Sequence, residues 1–253
     1  MRTIGMSVII KTDNEIAVMR QAGRVTAEVL KILANSVRAG METRELDVIA
    51  EKECQKRGAV PSFKGYHGFP ASVCVSVNDE VVHGIPGKRV IKEGDIVSID
   101  FGVIYDGFQG DAAVTVGVGR TSPAAQRLIE ATEGALWAGI KAARTGSHLG
   151  DISAAIQDHA EARGFTVVRE YTGHAIGRDM HEDPLVPNFG IPGTGILLKK
   201  GMTLALEPML NIGDWRTRRA DDDWTVLTVD GSLSAHFEHT IAITNGEAEV
   251  LTR

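Results

Sequence analysis

An internal repeat is the feature of this sequence that most constrains its fold. Arg38-Ala39-Gly40 recurs as Arg144-Thr145-Gly146, and Ile85-Pro86-Gly87 recurs as Ile191-Pro192-Gly193, in both cases 106 residues later. Two copies at so long a period exclude a solenoid, which is built from several short repeats. The sequence therefore predicts two similar halves related by a pseudo-twofold axis.

Each half, at about residues 12–119 and 120–253, is predicted to contain helices followed by strands. Hydrophobic periodicity and capping residues indicate helices at residues 14–38, 43–58 and 150–163, and a further helix that begins at Ser122-Pro123. Apolar runs indicate strands at residues 72–78, 96–102, 112–118, 166–171, 202–209, 224–229 and 236–243. The predicted fold class is α+β, with helices covering one face of the sheet. The charged segment 216–223 is expected to form an exposed hairpin tip.

Composition and charge exclude several broad classes of protein. The chain has 253 residues, 43% of them hydrophobic and 24% charged, and its net charge of −6 favours neither nucleic acid nor an anionic membrane. Two cysteines cannot build a disulfide framework or a four-cysteine zinc module. No stretch approaches about 18 apolar residues, and the first residues lack a signal-peptide pattern. We therefore expect a cytoplasmic protein without a membrane span.

Four acidic residues are predicted to lie on one face of the sheet. Asp100 and Glu207 occupy equivalent places in the two halves, each six residues after a glycine. Because strand side chains alternate in direction, Asp100, Asp111, Glu207 and Glu238 face away from the large apolar residues of their strands. If the pseudo-twofold axis pairs these strands, the four carboxylates converge.

Converging carboxylates raise one another's pKa values unless a cation neutralises them. The sequence therefore predicts one or two divalent cations, which Asp and Glu can bridge and a histidine can help to hold. Glycines beside His174 let the backbone approach a site closely, and His83 and His181 lie in similar segments. The two histidines that flank Glu238 are left open, and no site role is assigned to His67, His148 or His159.

These candidate residues belong to motifs that follow one another in a fixed order. The motifs are Asn78 with His83-Gly84-Ile85-Pro86, Asp100-Phe101-Gly102, Asp111, Gly173-His174-Ala175-Ile176-Gly177 with His181-Glu182, Glu207-Pro208-Met209 and Phe237-Glu238-His239-Thr240. The ordered set closely resembles the type I methionine aminopeptidases over nearly the whole chain. The resemblance implies the pita-bread fold, a pseudo-twofold α+β unit, as a single catalytic domain at residues 1–253 without an N-terminal extension domain.

The resemblance also implies a dinuclear metal site and a reaction. The metal ligands would be Asp100, Asp111, His174, Glu207 and Glu238, holding two ions of cobalt, manganese or iron. Glu207 would act as general base toward a metal-bridging water or hydroxide, while His83 and His181 would hold the substrate. The implied activity is removal of the N-terminal methionine from nascent proteins and peptides with a small second residue. The enzyme would be a cytoplasmic monomer that meets its substrates at the ribosome.

Two further sites are implied by the same resemblance. The methionine pocket would be lined by Phe63, Tyr66, Phe69, Cys74, Met180 and Trp224. A monovalent cation, Na⁺ or K⁺, would lie near Asn78, Glu80 and Ser234. Phe63, Met180 and Ala175 replace residues more frequent in the family, a cysteine, an aromatic residue and a glycine, so pocket shape is where this chain departs from its relatives.

Two alternatives remain open on the sequence. One is an Xaa-Pro-type aminopeptidase of the same fold, although those enzymes usually carry an extra N-terminal domain. The other is a non-catalytic pita-bread binding protein, although none of the expected ligands is missing here. Dinucleotide-dependent enzymes and serine hydrolases are disfavoured, because the chain has neither a Gly-x-Gly-x-x-Gly turn nor a Gly-x-Ser-x-Gly elbow.

Overall fold

The structure is a computed structural model that describes residues 8–253. The predictions for residues 1–7, namely a place in the catalytic domain and no signal peptide, lie outside the described residues. Within residues 8–253, no helix is both long enough and apolar enough to cross a bilayer.

The described part of the chain forms four α-helices, all close to their predicted positions. They are α1 (Asp13–Ser36), α2 (Thr43–Lys56), α3 (Pro123–Ala142) and α4 (Leu149–Glu161). The N-cap of α1 is Thr12, because Thr12 and Glu15 form a reciprocal capping box. Ser122 caps α3 as expected and accepts a hydrogen bond from the backbone of Ala125 at 3.1 Å.

The same residues form fifteen short strands. These are β1 (Val60–Pro61), β2 (Cys74–Val77), β3 (Glu80–Val82), β4 (Ile96–Tyr105), β5 (Phe108–Gly117), β6 (Thr166–Val167), β7 (Gly173–Ala175), β8 (Glu182–Val186), β9 (Thr203–Leu206), β10 (Met209–Asn211), β11 (Thr217–Arg219), β12 (Val226–Thr228), β13 (Ser234–His236), β14 (Glu238–Ala242) and β15 (Glu249–Val250). Residues 216–223 lie in the β11–β12 hairpin, but three of them belong to β11, so the tip is shorter than predicted.

Two of the predicted strands are divided in the structure. The strand predicted at residues 202–209 ends before Glu207, and Pro208, which cannot donate to a strand ladder, separates β9 from β10. The strand predicted at residues 236–243 is likewise divided at Phe237, between β13 and β14. At Glu207 the chain passes from the large sheet to a smaller one, and at Phe237 it passes from that smaller sheet back to the large one, so Glu207 and Glu238 each lie at a change of sheet.

The large sheet joins the two halves through a single pair of strands. Its order is β1-β4-β5-β14-β9-β7-β8, with β2 also paired to β4 and β15 to β14, and the pairs are antiparallel. Strands β4 and β5 belong to the first half, and β14 and β9 to the second. The two halves are therefore arranged symmetrically about the β5–β14 pair.

Helices cover one face of this sheet, and the acidic residues lie on the other face. In the first half, α1 and α2 pack around a buried cluster that includes Ile99 and Phe101, the two neighbours of Asp100 on β4. In the second half, α3 and α4 pack around a separate cluster that includes Leu204 and Leu206 of β9. Because side chains alternate along a strand, Asp100 is directed to the face opposite the helices. The α+β prediction is confirmed.

Candidate active site

Small residues make room between acidic side chains across the centre of the sheet. Asp100 pairs with Ala113 on the neighbouring strand, and Ala113 pairs in turn with Glu238. Directly paired residues project from the same face, so the two carboxylates flank the short alanine side chain. Glu207 follows the end of β9, the strand beside Glu238.

A second row of paired residues lies next to the first on the same face. Asp111 pairs with Gly102, while Thr240 pairs with Ala205, which pairs in turn with His174. A Cβ on Gly102 would lie 3.1 Å from Asp111 Oδ1. The glycine and the alanine therefore leave open space beside an acid and a histidine.

Two threonine hydroxyls join β5 to β14 and to the end of β13, and we call these contacts the threonine bridges. Thr240 Oγ1 accepts from Asp111 N at 3.0 Å and donates to Asp111 O at 2.8 Å. Thr115 Oγ1 accepts from His236 N at 2.9 Å and donates to His236 O at 2.8 Å. The bridges lie on opposite sides of the Ala113–Glu238 pair, so the pseudo-twofold relation extends to individual hydrogen bonds. Each fixes the backbone of a residue whose side chain enters the site.

Asp111, His174 and Glu238 are placed to share a metal ion. Each is buried, and each offers one ligand atom such that the three atoms lie within 4.8 Å of one another. Within the described residues, Asp111 Oδ1, Glu238 Oε1 and Asp100 Oδ1 have no hydrogen-bond partner. Buried carboxylate oxygens without a partner are strongly unfavourable unless a cation satisfies them. The donor set of four carboxylates and one imidazole therefore fits divalent cations.

Burial raises the pKa values of all four carboxyl groups. Burial is the largest cause in each case, and it raises the pKa of Asp111 to about 7. The charge of Asp111 adds to the upward pKa shifts of Asp100, Glu207 and Glu238. A divalent cation would reverse these shifts, because it stabilises the ionised carboxylates.

His174 presents one ring nitrogen to the acids. Burial lowers the pKa of His174 to about 3, so the ring is neutral. Its Nδ1 lies 3.0 Å from the carbonyl oxygen of Ala175, which it can reach only as a donor. The lone pair is then on Nε2, which lies 3.6 Å from Glu207 Oε1. This is the arrangement expected of a metal-binding imidazole.

His181 is held by an aromatic hydroxyl at the entrance to the site. The hydroxyl of Tyr66 lies 2.7 Å from His181 Nδ1, and the two rings stack at 5.4 Å. The His181 ring centroid lies 4.2 Å from that of His174. Because Nδ1 is engaged by Tyr66, Nε2 remains free for another partner.

His83 adopts a backbone conformation that is unusual outside glycine. Its φ of 60° lies in the left-handed region, and such positions cluster at functional sites. The ring packs edge-on against Tyr171 at 5.7 Å and Trp224 at 6.4 Å. Burial lowers the pKa of His83 to about 4, so the ring is neutral at pH 7.

The proposed metal, catalytic and methionine-pocket residues all line one cavity of about 390 Å³. Besides the acids and four histidines, the cavity is lined by Phe63, Tyr66, Phe69, Cys74, Met180 and Trp224. A Cβ on Gly102 would lie 3.1 Å from Phe63 Cε1 and 3.2 Å from Met180 Cε, so this glycine also leaves the apolar end open. The cavity therefore has an acidic end and an apolar end.

Two histidines of the site are missing from the sequence prediction. His67 lines the cavity, in a loop where its φ of 49° is left-handed. His236 Nε2 lies 3.8 Å from Glu207 Oε2 and 4.0 Å from Glu238 Oε2. The spacing of two between His236 and Glu238 is a usable signal, since such residues share a face of a strand. No sequence signal marks His67.

The three residues predicted for a monovalent cation lie outside this cavity. The side chain of Asn78 is occupied, since its Nδ2 donates to Asp95 Oδ1 at 2.9 Å and its Oδ1 accepts from Ile96 N at 3.0 Å. Glu80 accepts hydrogen bonds from Val77 N and Arg89. Ser234 Oγ is buried without a partner among the described residues.

Comparison with known proteins identifies the family. The model of metallopeptidase family M24 matches residues 17–245. The chain belongs to metallopeptidase family M24. Among M24 relatives, the methionine aminopeptidase of Clostridium perfringens is 54% identical over 245 residues, which are 97% of this chain and 98% of that protein.

Solved structures of M24 proteins share the fold. The crystal structure of methionine aminopeptidase from Thermotoga maritima has a TM-score of 0.96 and 48% identity, covering 98% of this chain and 100% of that one. Prolidase from Pyrococcus furiosus has a TM-score of 0.79 at 22% identity, covering 97% of this chain and 65% of that one, and it shows the fold alone. The pita-bread prediction is confirmed for this M24 chain.

Proposed function

We propose that this chain is a methionine aminopeptidase that removes the N-terminal methionine from nascent proteins and peptides with a small second residue. One observation carries the proposal, namely a cavity with converging carboxylates at one end and aromatic and thioether side chains at the other. The relatives that match the chain along its full length and are named methionine aminopeptidases support the same activity.

The proposed ligands of two divalent ions are Asp100, Asp111, His174, Glu207 and Glu238. Bound there, ions of manganese, iron or cobalt would supply a water of lowered pKa and polarise the scissile carbonyl. The partnerless oxygens and the neutral His174 support this assignment. A monovalent cation, Na⁺ or K⁺, is a further proposal, supported by the partnerless Ser234 Oγ and by the bond from Ser234 N to Asn78 O at 2.9 Å.

Glu207 is the proposed general base. Its side chain is 15% exposed, whereas that of Glu238 is 3% exposed, so Glu207 is the acid better able to reach a substrate. It takes the proton of the attacking water and passes it to the leaving nitrogen. His181, through Nε2, and His83 hold the peptide and donate to the oxygen on which negative charge develops.

The two ends of the cavity account for the proposed specificity. A methionine side chain is flexible and apolar, and it packs well against aromatic rings and the thioether of Met180. The positively charged α-amine of a free N-terminus is attracted to the acidic end, whereas a blocked N-terminus carries no such charge. Methionine would therefore enter with its amine toward the carboxylates.

The cellular setting follows from the substrate. Nascent N-termini become accessible as they leave the ribosome, so we place the enzyme in the cytoplasm as a monomer that acts on them there. Sedimentation of the purified protein at micromolar concentration tests the monomer, and a dimer would contradict it.

Release of free methionine from the peptide Met-Ala-Ser tests the proposed activity. The protein is stripped of metal and then supplied with Mn²⁺, Co²⁺ or Fe²⁺ in turn. N-acetyl-Met-Ala-Ser, Met-Lys-Ser and Ala-Pro-Ala serve as controls. We expect metal-dependent release of methionine from Met-Ala-Ser and no cleavage of the three control peptides. Cleavage of Ala-Pro-Ala would indicate an Xaa-Pro aminopeptidase instead, and no turnover with two bound equivalents would indicate a binding protein.

A further inference from the structure

A buried ion pair connects the segment before α1 to the loop that carries Met180 and His181. Lys11 Nζ contacts Glu182 Oε2, and the two side chains are 2% and 4% exposed. These residues are 171 positions apart in the sequence, since Lys11 directly precedes the first half of the repeat and Glu182 belongs to the second. The function proposed above assigns no role to either of them.

The carboxylate of Glu182 lies inside the loop at residues 177–182 and contacts groups on both sides of it. Its Oε1 accepts a hydrogen bond from Arg178 N at 3.0 Å, while its Oε2 faces Lys11. Gly177 packs so closely against the Glu182 and Lys11 side chains that a Cβ would overlap them. The loop is therefore closed around a carboxylate whose counter-charge comes from a distant part of the chain.

The loop lies in a hairpin at the edge of the large sheet. Strand β7 contains His174, and β8 begins at Glu182, the residue directly after His181. Glu182 pairs with Ala175, but among residues 8–253 β8 is the last strand of the sheet and has a strand neighbour on one side only. His181 thus depends on an edge strand for its position opposite His174.

Lys11 is itself fixed to the second half of the chain. Its backbone N–H donates to Gly201 O at 2.8 Å, and Gly201 N donates to Ile243 O at 3.0 Å. Gly201 lies in the turn before β9, the strand that ends at Leu206, directly before Glu207. Lys11 therefore links the start of β8 to the turn before β9, the strand that leads to the proposed general base Glu207.

We propose that the Lys11–Glu182 pair is a positioning element that holds His181 against His174 for catalysis. This inference rests on the proposed function. A buried ion pair contributes little net stability compared with apolar residues, because desolvation offsets the attraction between the charges. The pair does provide a directional contact between the loop that carries His181 and the segment fixed to the turn before β9.

A double-mutant cycle tests this role. Lys11→Met is compared with Lys200→Met, a control that removes a nearby exposed lysine whose Nζ lies 3.1 Å from Asp13 Oδ1. With Met-Ala-Ser and Mn²⁺, we expect Lys11→Met to lower kcat about tenfold or more, with KM within about threefold and metal stoichiometry unchanged. Lys200→Met stays within about twofold of the parent, and Lys11→Arg recovers part of the loss.

The decisive measurement is made in a His181→Ala background. If Lys11 acts through His181, Lys11→Met lowers kcat there by less than about twofold, because the group that it positions is already absent. A loss as large as in the parent would overturn the proposal, as would a Lys11→Met variant as active as Lys200→Met. Should Lys11→Met not fold, Glu182→Gln replaces it in the same cycle, since it removes the charge but keeps an acceptor for Arg178 N.

A second measurement separates this inference from the proposed activity. Amide hydrogen exchange at residues 176–182 is compared between Lys11→Met and Lys200→Met without any substrate. Faster exchange in Lys11→Met alone supports the positioning role even if the parent protein releases no methionine from Met-Ala-Ser. Equal exchange in the two variants would overturn it.

Discussion

Asp111 is the residue on which the charge state of the other acids depends. It is 4% exposed, and its charge contributes to the raised pKa values of Asp100, Glu207 and Glu238. The threonine bridge from Thr240 fixes its backbone among the other acids through two hydrogen bonds. The repulsion is therefore built into the metal-free protein.

Asp111→Asn should stabilise the metal-free protein at high pH. The folded pKa of Asp111 is raised to about 7 from 3.8, so the folded state binds more protons than the unfolded state between these values, and ionisation destabilises the fold as pH rises. At pH 8 we expect the variant to melt at least about 2–4 °C above the parent, which corresponds to about 1 kcal/mol.

The difference in melting temperature should shrink toward pH 5, where the parent carboxyl holds its proton. The neutral buried histidines make the opposite contribution to the pH dependence of stability. This contribution is the same in the variant and the parent, so it cancels in the difference. Thermal unfolding in the presence of a chelator measures the difference in melting temperature at pH 8 and at pH 5. A variant less stable than the parent at pH 8 would contradict the buried repulsion.

Glu207→Gln and His181→Ala should separate chemistry from metal binding. Loss of a general base lowers rates by about 10²–10⁴-fold. We expect Glu207→Gln to lower kcat by at least this much, because the substitution also weakens one metal ligand. His181→Ala should also lose rate but keep both metal equivalents. Steady-state kinetics and elemental analysis of the two folded variants measure this. Loss of a metal equivalent in His181→Ala would move that residue into the ligand set.

At the scale of elements, α1 packs so closely against its neighbours that there is no room for an added methyl group at Gly23. Gly23 lies where a Cβ would overlap the backbone of Leu251, and Gly110 on β5 packs against the backbone of Ala22 and Gly23. The helix therefore touches both the sheet and the C-terminal segment through backbone atoms.

Gly23→Ala should destabilise the protein, although alanine favours helices over glycine by about 1 kcal/mol. Overpacking of this kind costs about 1–3 kcal/mol, since backbone must move to accept the methyl group. Gly134→Ala in α3 is the matched control, because the added methyl would meet only the far end of the His159 side chain. Chemical denaturation of the two variants should show opposite signs, and a stabilised Gly23→Ala would refute the close packing.

The elements that the sequence predicts best are those whose signal is local. The four helices have caps and periodicity, and Asp100 and Asp111 stand on strands long enough to show alternation. Strands β7 and β8 are absent from the prediction because Gly173-His174-Ala175 has little strand propensity and β8 contains a proline. Likewise β5 begins at Phe108, four residues before its predicted start, because glycine and acid obscure the pattern there.

The parts of the site that escape prediction depend on tertiary contacts. The cavity position of His67 and the Lys11–Glu182 pair each join segments distant in sequence, and no local pattern encodes such a contact. The pseudo-twofold relation was accessible because a repeat preserves its spacing. The single-domain prediction at residues 1–253 stays a prediction.

On the scale of the whole molecule, the proposed metal ligands join the two halves. Asp100 and Asp111 come from the first half, and His174, Glu207 and Glu238 come from the second. Any ion held by ligands from both halves opposes their separation, so metal binding should stabilise the entire fold.

Removal of metal should therefore lower the melting temperature of the parent protein. A ligand at about 100 times its Kd contributes about 2.7 kcal/mol, which corresponds to several degrees for a chain of this length. Calorimetry before and after chelation, followed by Mn²⁺ addition, measures the shift, and His83→Ala should show the same shift as the parent. Equal melting temperatures with and without bound metal would contradict a site shared between the halves.

The distribution of ligands across the halves has a consequence for the timing of activity. A ribosome delivers Asp100 and Asp111 early, but Glu238 is the last of the five proposed ligands to be made. Until then β14 is absent, and the early strands have no partner at the centre of the sheet. A chain that is released before Glu238 is made therefore lacks a complete metal site and cannot hydrolyse the polypeptides around it. The enzyme becomes active only after synthesis has passed that residue.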